Sequence, residues 1–187
     1  MFRVISALIA VLTIGTPAPS MEIRDVVGKR WTLLAPAANQ FDLIFFVSTD
    51  CPISNRYAPE ISRMCADYRA RGVHCFLVYP DPSADAAAVN SHRQAYGLDR
   101  TIPAILDPGQ RLIGAVEPRV TPEAAVYSSA GRVYRGRIDD LYIDVGRARR
   151  QATRHDVRIA LDAALAGLPI AQPDTEAVGC FIPKRSG

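Results

Sequence analysis

Of the four cysteines in the chain, at positions 51, 65, 75 and 180, Cys51 has the surroundings of a reactive thiol. It lies in Ser48-Thr49-Asp50-Cys51-Pro52-Ile53-Ser54-Asn55, after an apolar run and directly before a proline suited to the first position of a helix. A sulfur at such a junction faces the first free backbone N–H groups and the positive end of the helix dipole. Both favour thiolate over thiol and so make a nucleophile. Ser54, three residues on, is placed to donate a hydroxyl proton to that sulfur, whereas the carboxylate of Asp50 works against the thiolate. Ser54 also stands where a second cysteine would complete a Cys-x-x-Cys pair, so a lone Cys51 needs a thiol from elsewhere to resolve any product it forms.

Cys65 falls on the apolar stripe of a helix and Cys75 within a buried strand. Both read as small core hydrophobes, or as partners of one another if that helix packs on that strand. Cys180 lies in Gly179-Cys180-Phe181-Ile182-Pro183, in a proline-spaced tail where no helix or strand packing explains a cysteine. The expectation is that the tail folds back and brings Cys180 to Cys51; the rival is a free or intermolecular thiol.

The elements that must hold these residues alternate β and α. Met21–Arg24 and Arg30–Leu34 read as short strands around Val27-Gly28-Lys29. Leu43–Val47 is a continuous apolar run, as in a strand buried on both faces. A helix follows from Pro52 to Ala70, with Ile61, Met64, Cys65 and Tyr68 on one stripe and Gly72 after its end. His74–Tyr79 is a second buried strand, Asp81-Pro82-Ser83 a turn and cap, and Ala84–Tyr96 a helix closed by Gly97. Ala104–Leu106 is a short strand before the turn Asp107-Pro108-Gly109. Glu123–Tyr127 and Arg132–Arg137 form a hairpin. A last helix spans Arg154–Ala166.

This order resembles the thioredoxin-like arrangement. Ser48–Asn55, Val120-Thr121-Pro122-Glu123, Gly179–Pro183 and Asn55-Arg56-Tyr57-Ala58-Pro59-Glu60 together resemble a bacterial redoxin branch of the alkyl hydroperoxide reductase/thiol-specific antioxidant (AhpC/TSA) superfamily. The resemblance implies an α/β thioredoxin-like fold: a central mixed β-sheet flanked by helices, with an N-terminal β extension and a C-terminal tail. It implies a cis-proline at Thr121-Pro122, with the backbone there facing Cys51 and pairing with an extended substrate segment. The expected site is therefore Cys51, Cys180, Ser54, Thr121 and Pro122. The expected chemistry is thiol–disulfide exchange or thiol-dependent peroxide reduction, with a redox partner protein or a peroxide as substrate and with no cofactor or metal. For peroxide reduction the pattern is half kept: where peroxiredoxins carry a proline seven residues and a Thr or Ser three residues before the reactive cysteine, this chain has Ile44 and Ser48, so the hydroxyl is kept and the proline is missing. Arg135 or Arg137 could supply the guanidinium that steadies the peroxide, the alternative being plain solvated strand residues. The alternatives are a Sco-like copper(I) carrier using Cys51, Cys180 and a histidine, or a thioredoxin-fold binding module without turnover. His155 is the natural copper ligand, although Thr153-Arg154-His155-Asp156 also reads as a capping box. His74 and His92 are weaker candidates. Asp139, Asp140 and Asp144 lack a calcium-loop spacing and read as a turn.

Residues 1–20 have the order of a secretory signal: Arg3, an apolar stretch from Val4 to Ile14, then small residues and prolines. The apolar run is shorter than the roughly 20 residues of a membrane span. The expected organisation is a signal peptide at 1–20, one domain at 21–168 and a tail at 169–187, in a secreted or periplasmic protein whose compartment permits disulfides. The chain's 187 residues suit one domain. With 22 Lys and Arg against 19 Asp and Glu, its +3 charge is too small and dispersed for nucleic acid. The arginines between 147 and 158 read as a solvated face.

Overall fold

Alternation along one strand explains the layering. The computed structural model describes residues 20–184, so the expected signal segment lies, apart from Ser20, outside the described residues. β3 (Phe41–Phe46) is buried along its whole length. Its Leu43 and Phe45 enter one apolar cluster, and Ile44 and Phe46 another on the opposite face. A strand covered on both sides needs no polar face, which is why it reads as an unbroken apolar run.

β3 is the middle of a five-stranded mixed sheet. On one side it pairs in parallel with β4 (Val73–Tyr79), which pairs in parallel with β5 (Ala104–Leu106). On the other it pairs antiparallel with β7 (Glu123–Ser128), which forms a hairpin with β8 (Gly131–Gly136). The order β5-β4-β3-β7-β8 is the thioredoxin-like arrangement. The first face is covered by α1 (Pro52–Arg69), α2 (Ala86–Tyr96) and α4 (Asp156–Leu165), through residues such as Ile61, Met64, Val89 and Leu161. The second is covered by the hairpin of β1 (Met21–Arg24) and β2 (Arg30–Leu33), with Trp31 edge-on to Phe76, and by α3 (Arg111–Val116) through Leu112 and Val116. The N-terminal extension is thus part of the core and not an appendage.

Some sequence expectations are corrected. α2 begins at Ala86 and not Ala84, because the Asp85 carboxylate accepts the Ala88 N–H (2.7 Å) and caps the helix there. α3 follows a turn that the sequence marks, although the helix itself is unmarked. Its start is held by the carboxylate of Asp107, which accepts the amides of Arg111, Leu112 and Ile113 at 2.8–3.1 Å. The capping box before α4 does not form. Thr153 bonds Asp140 instead, and Asp156 takes Arg137 and Arg154. A two-strand ribbon, β9 (Tyr142–Asp144) with β10 (Arg147–Ala148), lies where the acidic residues suggested a turn. The nearby arginines are not merely solvated: Arg158 pairs with Glu60 and Asp67 and ties α4 to α1.

After α4 the tail returns across the sheet edge. The Arg135 amide donates to the Pro173 carbonyl (2.9 Å), and the Thr175 amide to the Arg135 carbonyl (3.0 Å). Thr175 Oγ1 also lies 2.7 Å from the Tyr134 hydroxyl and accepts the Arg137 amide at 3.1 Å. Gly136 makes this approach possible, since a Cβ there would overlap the Thr175 backbone. The tail ends in β11 (Cys180–Phe181), which pairs antiparallel with β6 (Val120–Thr121): Cys180 faces Thr121 and Phe181 faces Val120.

Candidate active site

Cys51 is the N-cap of α1. Its backbone is extended, Pro52 occupies the first turn, and no acidic side chain in that turn offsets the positive helix end. The residue is only 1% exposed. Its sulfur is bonded to that of Cys180, with the two Cα atoms 6.0 Å apart. The fold-back of the tail and the pairing of β11 with β6 bring these residues together across 129 positions of sequence.

The Thr121-Pro122 peptide is cis and forms the opposite wall. The Thr121 carbonyl oxygen lies 3.1 Å from the Cys51 sulfur. In the bonded state that sulfur has no proton and the approach is a contact. In the free thiol the S–H has an acceptor there, while a thiolate would meet a partial negative charge. Among the described residues the sulfur accepts no bond from a helix N–H, so the Cys51 site sets only the positive end of α1, which favours the anion, against a carbonyl, which disfavours it. The Thr121 hydroxyl is buried and, among the described residues, is the one buried side-chain oxygen with no hydrogen-bond partner. Pro122 is buried beside it.

The loop before the cis-proline is shaped by Glu123, whose place in the sequence shows only the start of a strand. Its buried carboxylate folds back to accept the amides of Arg119 (2.7 Å) and Val120 (3.3 Å). Burial pushes this carboxyl above the usual range, and the two amide bonds oppose the shift.

Ser54, expected as a thiolate donor, is buried one turn into α1, and its Oγ accepts the Ser48 amide at 3.3 Å. No hydrogen bond joins it to the bonded sulfur among the described residues. Its visible role is to hold the loop leading into Cys51. A second brace for that loop has no clear mark in the sequence. The Tyr79 hydroxyl and His92 Nδ1 lie 3.0 Å apart, His92 Nε2 lies 2.8 Å from Asn55 Oδ1, and Asn55 Nδ2 donates to the Thr49 carbonyl (3.4 Å). The amide orientation of Asn55 assigns the proton: Nε2 donates, and Nδ1 accepts from Tyr79. Burial lowers the His92 pKa, opposed by the charge of Asp50, which fits this neutral form. The link arises from the packing of α1 on α2, and the only trace of it in sequence is a polar residue on each helix.

Several expected groups lie elsewhere. Arg135 donates to the Val116 and Glu117 carbonyls (3.2 and 2.8 Å), and Arg137 to Asp156 (2.8 Å), so both guanidiniums are committed away from Cys51. Cys65 and Cys75, read as core residues or as each other's partners, form a disulfide that ties α1 to β4. Among the described residues no cluster of three or more His, Cys, Asp or Glu side chains converges as a metal would require, and the Cys51 and Cys180 sulfurs weighed as copper(I) ligands are here bonded to each other. No helix of the described residues is long and apolar enough to cross a membrane.

Comparison with known proteins places this geometry in context. A hypothetical protein from Sinorhizobium meliloti superposes with a TM-score of 0.75 at 24% identity, over 95% of this chain and 98% of that one. An uncharacterized conserved protein from Geobacillus kaustophilus gives 0.74 at 23%, over 92% and 93%. A secreted Mycobacterium tuberculosis disulfide oxidoreductase homologous to E. coli DsbE gives 0.52 at 16%, over 79% and 96%. These likenesses show a shared thioredoxin-like fold. No curated protein matches the sequence significantly. Residues 14–135 match the model of the AhpC/TSA family. That match covers well over half of the chain, and the protein belongs to the AhpC/TSA family of redoxins.

Proposed function

We propose that the protein is an exported thiol–disulfide oxidoreductase in which Cys51 is the attacking sulfur and Cys180 the thiol that resolves the product. The observation that carries this reading is the Cys51–Cys180 bond, made at a helix start and beside the Thr121-Pro122 strand.

In the reduced protein the Cys51 thiolate attacks one sulfur of a partner's disulfide. A mixed disulfide forms, and the partner's other sulfur leaves as a thiolate. Cys180 then attacks the Cys51 sulfur, the partner's second sulfur leaves, and the Cys51–Cys180 bond closes. The partner has gained two electrons and the protein has lost them. Recycling reverses the flow. An incoming thiolate meets Cys180, which is partly exposed, more readily than the buried Cys51. Cys51 at the helix start is the better leaving group.

The tail suits a resolving role. Its anchor at Thr175 is five residues from Cys180, a reach of about 17 Å when extended. A released Cys180 therefore stays at an effective concentration on the order of millimolar or above. Exchange is favoured over peroxide reduction because Ile44 replaces the family's proline and because Arg135 and Arg137 are held elsewhere. The signal-like residues 1–20 and the two disulfides support export.

The test is turnover of a disulfide substrate with dithiothreitol as the electron source. Cys51→Ser should abolish turnover, and Cys180→Ser, reduced and then freed of dithiothreitol before the disulfide substrate is added, should accumulate a mixed disulfide at Cys51 that mass spectrometry detects. Full activity in Cys51→Ser, or the absence of any trapped adduct in Cys180→Ser, would overturn the proposal.

A further inference from the structure

The strand lane beside Cys51 is already filled by the protein's own tail, and the way the tail fits it constrains what else can enter. β11 lies antiparallel on β6 with Cys180 opposite Thr121, which delivers the Cys180 sulfur to Cys51. The preceding residue, Gly179, is pressed onto the Thr121 backbone. A Cβ built there would overlap the Thr121 carbonyl carbon and oxygen and crowd the Val120 side chain. The obstacle is backbone, not the end of a flexible side chain. The same carbonyl touches the Cys51 sulfur and belongs to a strand pinned by Glu123, so it has little freedom to retreat. On the other side of the cysteine the constraint vanishes: Phe181 is 89% exposed.

We infer that the Cys51 site selects extended partner segments in which glycine directly precedes the reacting cysteine, with the Val178–Ile182 tail as its built-in template. This deepens the proposed function and rests on Cys51 being the attacking sulfur. A partner cysteine must put its sulfur where that of Cys180 lies. A segment that does so while pairing with β6 adopts the register of β11, and its preceding residue lands on the Thr121 carbonyl as Gly179 does. The residue after the cysteine faces solvent and is free to vary. The tail must first leave this lane. It is held there by the disulfide, a two-residue ladder and a Gln110 side-chain bond to the Pro183 carbonyl, while the Thr175 anchor remains in place.

The experiment uses the Cys180→Ser protein with Cys65–Cys75 intact and Cys51 free. Two peptides, Val-Gly-Cys-Phe-Ile and Val-Ala-Cys-Phe-Ile, are each supplied as a mixed disulfide with thionitrobenzoate. Attack by the Cys51 thiolate on the peptide sulfur forms a Cys51–peptide disulfide and expels coloured thionitrobenzoate. The rate is read from colour and the adduct from mass. The glycine peptide should react about tenfold faster, the factor expected when overpacking against fixed backbone adds more than a kilocalorie. Rates within twofold of each other overturn the inference. The symmetrical reagent dithiobis(nitrobenzoate), which needs no strand lane, reports Cys51 reactivity by itself. If Cys51 is inert to it, the proposed function fails and the inference falls with it. In the full chain, Gly179→Ala should shift the Cys51–Cys180 equilibrium in a glutathione buffer towards the dithiol by about tenfold. An unchanged constant there also overturns the inference.

Discussion

Opening the Cys51–Cys180 bridge should destabilise the protein far more than the local packing of the tail suggests. The bridge spans 129 positions, so in the unfolded chain it closes a loop that takes in most of the molecule. The loop-entropy relation gives a loss of about 17 cal/mol/K for that length, or about 5 kcal/mol at 25 °C. The Cys65–Cys75 bridge, with a separation of 10, gives about 2.7 kcal/mol by the same relation. In the folded state, by contrast, Cys180 contributes little besides the bridge: a two-residue ladder and a partly exposed sulfur. The assay is urea unfolding of the oxidised wild type and of a Cys51→Ser/Cys180→Ser protein that keeps the second bridge. The midpoint should fall and the slope m should rise, because an unfolded chain freed of its large loop exposes more surface. The same difference bears on redox behaviour. Folding should make this disulfide harder to reduce than in the unfolded chain by about 100 mV, the two-electron equivalent of 5 kcal/mol. A loss of about 1 kcal/mol or less with m unchanged would refute the reasoning. It would mean either that Cys180 is not bonded to Cys51 in solution or that the reduced unfolded chain is already as compact as the looped one.

Two further outcomes follow from buried groups. Burial raises the Asp42 carboxyl to about 6, opposed by its bond from the Leu34 amide, and His74 Nδ1 lies 4.0 Å away. Since the unfolded value is about 3.9, the native state holds this proton longer, and stability falls as pH rises from about 4 through 6, by up to about 3 kcal/mol. Asp42→Asn keeps an acceptor for Leu34 and should remove that fall. Urea melts from pH 4 to 7.5 should show the variant gaining on wild type as pH rises, and a constant difference would sink the argument. Thr121→Val should stabilise the oxidised protein by about 1 kcal/mol, because it removes a buried hydroxyl with no partner without changing side-chain shape. A lower melting temperature for the oxidised variant would show that the hydroxyl has a partner after all.

What the sequence revealed, and what it hid, divides along the range of the interactions. β3 was legible because burial on both faces leaves an unbroken apolar run, and α1 because Pro52 and a regular apolar stripe mark its start and inner face. α3 was not, because its six residues are started by an aspartate four positions upstream and carry too few turns for a period to show. β6 and β11 have two residues each and exist only through pairing across about 60 positions, so no local pattern could mark them as strands. The bond between Cys65 and Cys75 was one of two open readings, since both cysteines look like core residues until α1 is laid on β4. His92 looked like an ordinary helix residue because its partners, Tyr79 and Asn55, come from two other elements.

In the proposed exchange, Cys180 on the tail takes the place of the second cysteine of a Cys-x-x-Cys pair. Two thiols in one helical turn are always close, so the resolving step there needs no movement. A thiol on a tail must satisfy two opposed demands: it must reach Cys51 fast enough to resolve a mixed disulfide, yet leave the strand lane open when a partner arrives. One anchor cannot do both. The chain has two, and they differ in kind. At Thr175 the tail is held by backbone bonds on both sides of Arg135, by two hydroxyl bonds and by a glycine that admits close approach, none of which depends on redox state. At Cys180 it is held chiefly by the disulfide, because the accompanying ladder is only two residues long and Phe181 buries almost nothing. Under the proposed exchange, reduction would loosen the outer segment while leaving the inner one fixed, with the free thiol within five residues of its anchor. On this reasoning the length between Thr175 and Cys180 matters more than the residues within it, except for Gly179, whose missing side chain lets the strand lie against Thr121 at all.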